Sequence, residues 1–369
     1  MADFFFYGTL CHLPLLEIVL GRPVAPEPAR LPDHAVFWAQ NQPFPLIVAA
    51  PGQTAQGLFL PGMSDEDIAR LDFYEGGFAF HTRDLALADG RIARVYFPDP
   101  GHWLPGAPWS LADWVAVRGA VVTATAQDFM RLYGVKPAEE VLRRYPMMLT
   151  RGAARLRAAQ GGPSVLRRDT TAADVDVGAQ RQPYARYFAI EEYDLRYRRF
   201  DGSWSDQTTR AAFISGDAAT VLPYDPVRDR VLVVEQFRPG PYSRGDANPW
   251  LLEAVAGRID PFETPEDCAR REAQEEAGVG LRKLIPVASY YPSPGAKGEF
   301  LYSYVALCDL PDDSPRHGGM ADEVEDIRAH VIPFDLLMDL VRRPEAANAP
   351  LILTAMWLAA NRQRLRDAA

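Results

Sequence analysis

Residues 257–279 constrain this chain more than any other stretch. They read Gly257-Arg-Ile-Asp-Pro-Phe-Glu263-Thr-Pro-Glu-Asp-Cys-Ala-Arg-Arg271-Glu272-Ala-Gln-Glu275-Glu276-Ala-Gly278-Val279. Thr264 is a good N-cap, Pro265 suits the first helical position, and Gly278 suits a left-handed C-terminal cap. These signals predict a helix from about 265 to 277. On it, Glu272 and Glu276 are four apart and share a face, and Glu275 lies three on from Glu272. Like charges at that spacing repel, so three glutamates on one turn need a cation among them. A hard dication suits an all-oxygen set, and it could bridge phosphate oxygens and lower the pKa of a water. The alternative is a solvated acidic face paired to Arg270 and Arg271.

Composition narrows the classes. The chain has 369 residues, room for two or three domains. Its net charge of -10 gives a nucleic-acid partner no global electrostatic support. No apolar run is long enough to span a membrane, and the N-terminal MADFFFYGTL lacks the basic start of a signal peptide. Cys11, Cys268 and Cys308 are widely spaced, which argues against a disulfide framework or a zinc site. A reducing cytoplasm is the expected compartment, and carboxylates the expected metal ligands. That favours Mg2+, with Mn2+ possible.

The pattern divides the chain into a first domain at 1–120, a helical connector and linker at 121–182, and a second domain at 183–369. In the first, Phe4 to Tyr7 reads as a strand. Ser64 to Glu75 reads as a helix with Ser64 as N-cap, Asp67 completing a capping box, and Gly76-Gly77 as its end. Ala126 to Tyr133 and Pro137 to Arg144 read as short helices. Arg151 to Arg168 reads as a helix plus interdomain linker. In the second, Tyr184 to Leu195, Arg210 to Ile214, Thr220 to Leu222, Val231 to Val234 and Phe300 to Leu307 read as strands. A last helix spans about Leu351 to Leu365.

The 257–279 stretch resembles the Nudix box, Gly-x5-Glu-x7-Arg-Glu-U-x-Glu-Glu-x-Gly-U with U apolar, at every fixed position. The resemblance implies an α/β/α sandwich that binds a divalent metal against a diphosphate. It makes Glu272 and Glu276 metal ligands with Glu275 nearby, and Arg271–Glu263 a structural ion pair. The flanks resemble the ADP-ribose pyrophosphatase branch over roughly 184–365: Asp225-Pro-Val-Arg-Asp, Val234-Glu-Gln-Phe-Arg238, Pro249-Trp-Leu-Leu-Glu-Ala-Val-Ala256-Gly257, Tyr291-Pro-Ser-Pro294-Gly295 and Gly319-Met-Ala-Asp-Glu323-Val-Glu325-Asp. Carried over, the main-chain oxygen of Ala256 joins the metal set. Glu323 is the general base, with Glu325 as a ligand or the alternative base. Arg238 contacts the diphosphate, Arg210 reaches the ligand of a partner subunit, and Glu299 is a loop carboxylate near the site. The implied reaction is ADP-ribose plus water giving AMP and ribose 5-phosphate, in a homodimer. An ADP-sugar, NADH or another nucleoside diphosphate derivative is the alternative substrate.

At the other end, Tyr7-Gly8-Thr9-Leu10 follows an aromatic strand. Gly8 would let the backbone turn and present amides to an anion. Leu71-Asp-Phe-Tyr-Glu75-Gly76 ends a helix, where the dipole should raise the pKa of Glu75 and suit it to proton abstraction. Together these resemble the gamma-glutamylcyclotransferase-like family over roughly 3–100. That implies a mixed β-barrel with helices, a loop at Tyr7, Gly8, Thr9 and Leu10 that holds a glutamyl group, and Glu75 as base. A non-catalytic binding or dimerisation module is the alternative. The fusion of the two also resembles proteins linked to bacterial tellurite resistance, although no residue here shows tellurite chemistry. The expected fold class is thus α/β and α+β in two domains.

Overall fold

A computed structural model describes residues 1–76, 80–162, 164–312, 317–318 and 326–368. The chain forms two compact units, Met1–Gly162 and Pro163–Ala369.

Unit 1 is built on a six-stranded mixed sheet with the order β4-β5-β1-β3-β2-β6. Its strands are β1 (Ala2–Phe6), β2 (Glu27–Ala39), β3 (Pro45–Met63), β4 (Phe80–Ala86), β5 (Ile92–Pro98) and β6 (Pro105–Pro108). β1 runs parallel to β5 and antiparallel to β3. Among the described residues the two end strands, β4 and β6, are not paired to each other, so the barrel is a half-barrel. The run Phe4-Phe-Phe-Tyr7 explains why both faces are filled. Side chains alternate along a strand, so Phe4 and Phe6 join one buried cluster while Phe5 and Tyr7 join another. Each such side chain contributes on the order of 1.5–3 kcal/mol by leaving water.

The helices of this unit are α1 (Leu13–Leu20), α2 (Asp65–Glu75), α3 (Leu111–Trp114), α4 (Ala120–Met130), α5 (Ala138–Leu142) and α6 (Tyr145–Ala159). α2 begins as its sequence predicts. Ser64 accepts from the Asp67 amide, and Asp67 accepts from the Ser64 amide. Asp67 also takes both ends of the Arg22 guanidinium, at 2.9 and 2.8 Å. Gly76 keeps right-handed angles, with φ −62°.

The segment expected to be a connector is different. Val122, Ala126, Phe129, Met130, Val141 and Met148, from α4 to α6, are buried in the same cluster as Phe4 and Leu15. Residues 120–159 therefore complete the core of unit 1, and the division of the chain falls at 162/163, not at 120 and 182. The Arg and Gly content of α6 disguised this. Gly152 packs so closely on α4 that a Cβ there would lie 2.5 Å from the Thr125 hydroxyl oxygen.

Unit 2 opens with an antiparallel three-stranded sheet of β7 (Val175–Ala185), β8 (Ala189–Tyr197) and β9 (Thr208–Ile214). The single strand expected from Tyr184 to Leu195 is instead the hairpin between β7 and β8. Pro183 lies where the β7–β8 register shifts, a place that tolerates a residue with no amide hydrogen.

The larger sheet runs β14-β15-β10-β11-β17-β16, with β12 on β11 and β13 on β10. Its strands are β10 (Ala218–Asp225), β11 (Arg230–Phe237), β12 (Trp250–Glu253), β13 (Val255–Arg258), β14 (Lys283–Tyr290), β15 (Leu301–Leu307), β16 (His317–Gly318) and β17 (Ile327–Pro333). A short helix, α7 (Pro239–Arg244), follows β11. One face buries Cys268, Ala269, Ala273 and Ala277 of α8 (Pro265–Ala277). The other buries residues of α9 (Phe334–Arg342) and α10 (Ala349–Asp367), including Phe334, Leu351, Ala355 and Leu358. The result is an α/β/α sandwich. Among the described residues, no helix is long and apolar enough to cross a membrane.

Candidate active sites

The bounds of α8 follow from its caps. Thr264 accepts from the Asp267 amide at 3.1 Å, and Gly278 closes the helix at φ 63°. Its carboxylates are then fixed by two local devices.

The first is Arg271. Its Nε and Nη2 donate to the two oxygens of Glu263 at 2.9 and 3.0 Å, and Nη1 donates to Glu272 at 2.7 Å and Glu275 at 2.9 Å. Nη2 also reaches the Arg258 carbonyl at 3.2 Å, which ties α8 to the end of β13. Hydrogen bonding to Glu263, together with the charge of Glu272, drives the pKa of Arg271 further up. The cation that the crowded glutamates require is thus supplied in part by the protein itself. Arg270 takes no part and donates to the Leu281 carbonyl.

The second device is the β13 backbone. Glu276 is buried and accepts from the Ala256 amide at 3.2 Å. Glu272 lies against Gly257 so closely that a Cβ there would fall 1.8 Å from its Oε1. The dipeptide Ala256-Gly257 is therefore bracketed by the two carboxylates. Among the described residues, no three His, Cys, Asp or Glu side chains form a ready-made metal cluster, consistent with Arg271 holding two of the glutamates. The donor set is nevertheless all oxygen, and the missing side chain of Gly257 leaves room for Glu272 beside the backbone. This chemistry fits a hard divalent ion.

The other expected residues are distributed as follows. Arg238, just past β11, donates through Nε and Nη2 to one oxygen of Glu253, at 3.0 and 2.7 Å. Among the described residues, this buried acid is the carboxylate it pairs with; Glu235 instead contacts His330 at 2.8 Å. Glu299 accepts from Ser215 at 3.1 Å and Lys297 at 2.7 Å. Its loop is hooked to β9, because the Phe213 amide donates to the Ala296 carbonyl and the Gly298 amide to the Phe213 carbonyl. Arg210 is exposed on β9 and contacts Thr208 and the Thr209 carbonyl. Glu323 and Glu325 lie outside the described residues. The strands on either side of that segment pair Gly318 with Ile327.

In unit 1, the Tyr7-Gly8-Thr9-Leu10 segment leaves β1 and turns into a 3-10 helix, Thr9–Cys11, with Tyr7 and Leu10 buried. Gly8 is required sterically, because a Cβ would meet Pro45 at 2.7 Å. Burial raises the Glu75 carboxyl from the ordinary glutamate value to about 7. Helix-end electrostatics, the cause expected from sequence, is not what drives this shift. Tyr7, Tyr74, Tyr96 and Tyr145 are raised mainly by burial and further by the charge of Glu75, which places all four hydroxyls in its electrostatic neighbourhood. Tyr7 and Tyr74 belong to the two motifs found in the sequence, with Tyr74 directly before Glu75 in α2. Tyr96 of β5 and Tyr145 of α6 come from separate elements, so no local pattern could assemble all four. A carboxyl that titrates near neutrality is suited to accept and return a proton.

Comparison with known proteins agrees with this division. Residues 215–353 match the family described as NUDIX domain, and residues 4–116 match gamma-glutamyl cyclotransferase, AIG2-like. The chain is 40% identical over 194 residues to an ADP-ribose pyrophosphatase of Escherichia coli (strain K12), covering 53% of this chain and 92% of that protein. It is 31% identical over 196 residues to an ADP-ribose pyrophosphatase of Haemophilus influenzae, covering 53% and 90%. A GDP-mannose pyrophosphatase of Yersinia pestis (strain Pestoides F) is 34% identical over 148 residues, covering 40% and 73%. With its intact carboxylate helix on an α/β/α sandwich, this chain belongs to the Nudix hydrolases and carries a gamma-glutamyl cyclotransferase-like domain before the hydrolase domain.

Proposed function

We propose that unit 2 hydrolyses the diphosphate of ADP-ribose to AMP and ribose 5-phosphate, with Mg2+ as its metal and Mn2+ as a possible substitute. The observation that carries this reading is the bracketing of Ala256-Gly257 by Glu276 and Glu272. The likeness to the Escherichia coli pyrophosphatase over nearly all of that protein's length supports this substrate.

Glu272, Glu276 and the Ala256 carbonyl would hold the metal, with Glu275 beside them. When bound, the metal offsets the charge of the diphosphate and makes a water molecule more acidic. Arg271 keeps Glu272 and Glu275 oriented on one side of α8. Arg238, whose Nε edge is taken by Glu253, presents the N–H groups of its outer edge to the diphosphate. Glu299 lines the site from the loop hooked to β9. Glu323 is the base for the attacking water and Glu325 the alternative, both on the resemblance alone.

A homodimer fits the three-stranded sheet. Val175, Val177, Leu195 and Tyr197 share one face through the β7–β8 register, and Val175, Val177 and Tyr197 are each nearly half exposed. Tyr193 pairs with Arg210, which puts Arg210 on that same face of β8 and β9, where a partner's ligand would come within reach. A monomer by sedimentation would remove this part of the reading. In unit 1, Glu75 takes a proton from the α-amine of a γ-glutamyl amide held at Tyr7, Gly8, Thr9 and Leu10; that amine attacks the γ-carbonyl, the γ-amide C–N bond breaks, and Glu75 returns the proton to the departing amine, releasing 5-oxoproline and the free amine.

The test is to incubate the full chain with Mg2+ and ADP-ribose, ADP-glucose, NADH and GDP-mannose, following nucleotide release by chromatography. Preference for ADP-ribose is expected. Preference for GDP-mannose would favour the second reading, which the Yersinia relative supports, and would keep the chemistry while replacing the substrate.

A further inference from the structure

Glu253 is a buried carboxylate to which the mechanism above gives no chemical step, and it sits at a junction. Val234 of β11 pairs directly with Glu253 of β12, which brings Glu253 to the side of β11 that carries Gln236 and leads to Arg238. One oxygen, Oε2, takes Nε and Nη2 of Arg238 at 3.0 and 2.7 Å and the Gln236 amide at 3.4 Å. The other, Oε1, takes the side-chain amide of Asn348 at 2.9 Å. Asn348 is in turn the N-cap of α10, accepting from the Leu351 amide at 3.0 Å. Three residues past Glu253 the same chain supplies the Ala256 carbonyl.

Two physical facts give this arrangement consequence. A guanidinium with its Nε edge committed to a carboxylate can no longer swing about its long stem, so its outer N–H groups point in a fixed direction. A buried carboxylate with one oxygen bonded to the arginine and the other to a helix cap is itself fixed from two sides.

We infer that Glu253 is the positioning residue for Arg238: it aims the arginine at the diphosphate, and Asn348 at the head of α10 holds Glu253 in register. The inference rests on the reading that Arg238 binds the diphosphate. Glu253 touches neither substrate nor metal, so its loss acts through the arginine. Displacing a substrate-positioning group by about 1 Å lowers a rate on the order of a hundredfold, which sets the scale of the effect.

The experiment uses the full chain with Mg2+ and whichever diphosphate the wild type turns over best. Glu253→Gln retains size and an acceptor oxygen and removes the charge. Its kcat/KM should fall about 10- to 100-fold, with KM carrying most of the change. In an Arg238→Lys background, which lacks the planar fork, Glu253→Gln should add almost nothing. Asn348→Ser keeps a helix cap and removes only the tether. It should raise KM about threefold, with a melting temperature close to that of the wild type because serine caps a helix about as well as asparagine. Melting temperatures accompany each variant.

A lowered melting point with unchanged kcat and KM in Glu253→Gln would overturn the inference and leave a structural ion pair. So would full additivity with Arg238→Lys. If Glu253→Gln does not fold, Asn348→Ser decides: an unaltered KM there overturns the proposal. Normal KM in Arg238→Lys itself would overturn the arginine's role and the inference together, and that outcome is separate from a failure of Glu253 alone.

Discussion

The two units place a carboxylate at the centre of their sites in opposite ways. In unit 1, Glu75 is partly buried among tyrosine hydroxyls, and that burial lifts it to about 7. In unit 2, Glu263, Glu272 and Glu275 are gathered around one guanidinium, and Glu276 is buried against a backbone amide. The first arrangement makes a proton exchangeable at neutral pH. The second supplies clustered negative charge ready for a cation. The same residue type thus becomes a proton carrier or a ligand according to whether its compensation is burial or opposite charge.

The comparison is broken most directly by neutralising the ligands. Glu272→Gln and Glu276→Gln should each lower turnover of the preferred diphosphate by about 10²–10³, since charge stabilisation at a reacting phosphate is lost. Folding should be nearly unchanged. In Glu276→Gln the new amide oxygen can still accept from the Ala256 N–H, and in Glu272→Gln the acids Glu263 and Glu275 still hold Arg271. Activity and circular dichroism measured together check this; near-wild-type turnover in both variants would dissolve the metal assignment.

Removing the cation instead should act on stability. Arg271→Ala leaves three acids around an empty place and should destabilise unit 2 by about 2–3 kcal/mol, at or below the usual figure for breaking a buried pair because Arg271 is partly exposed. Saturating Mg2+ should recover part of that loss, and EDTA should lower the melting point of the variant more than that of the wild type. An equal response to EDTA would mean that arginine and metal do not share the same carboxylates.

The subtlest effect belongs to unit 1. Glu75 has a higher pKa folded than unfolded, so the folded chain binds more protons between the ordinary glutamate value and about 7. Its contribution to stability is therefore present in acid and lost as pH rises through 7. Glu75→Gln should flatten that slope in melting curves taken from pH 5 to 8 and leave nucleotide release by unit 2 unaltered. A persisting slope would assign the pH dependence to another group.

How much of this was legible depended on whether the signal was local. α8 was readable to its ends, because Thr264, Pro265 and Gly278 each act within one turn. The aromatic run at Phe4 to Tyr7 gave its strand, and Ser64 and Asp67 gave the start of α2. The reading weakened where a residue had two meanings. Gly152 resembled linker and is a packing contact between helices. The turn at Arg186 to Phe188 holds neither glycine nor proline, so the β7–β8 hairpin read as one strand. In the sites, the Arg271–Glu263 pair came from a motif with fixed spacing. The Arg238–Glu253 pair depends on sheet register, and Tyr7, Tyr96 and Tyr145 reach Glu75 from distant elements. Neither has a counterpart in linear spacing.

Gly257 carries one further consequence. Any side chain there occupies the volume into which Glu272 reaches, whatever its chemistry, and the nearest atoms are the movable end of that glutamate. Substitution would leave a folded protein with a displaced carboxylate. Position 257 therefore has no neutral neighbours in sequence space: a lineage that changes this residue leaves enzymes for pseudoenzymes in a single step, with nothing in the overall fold to record the departure.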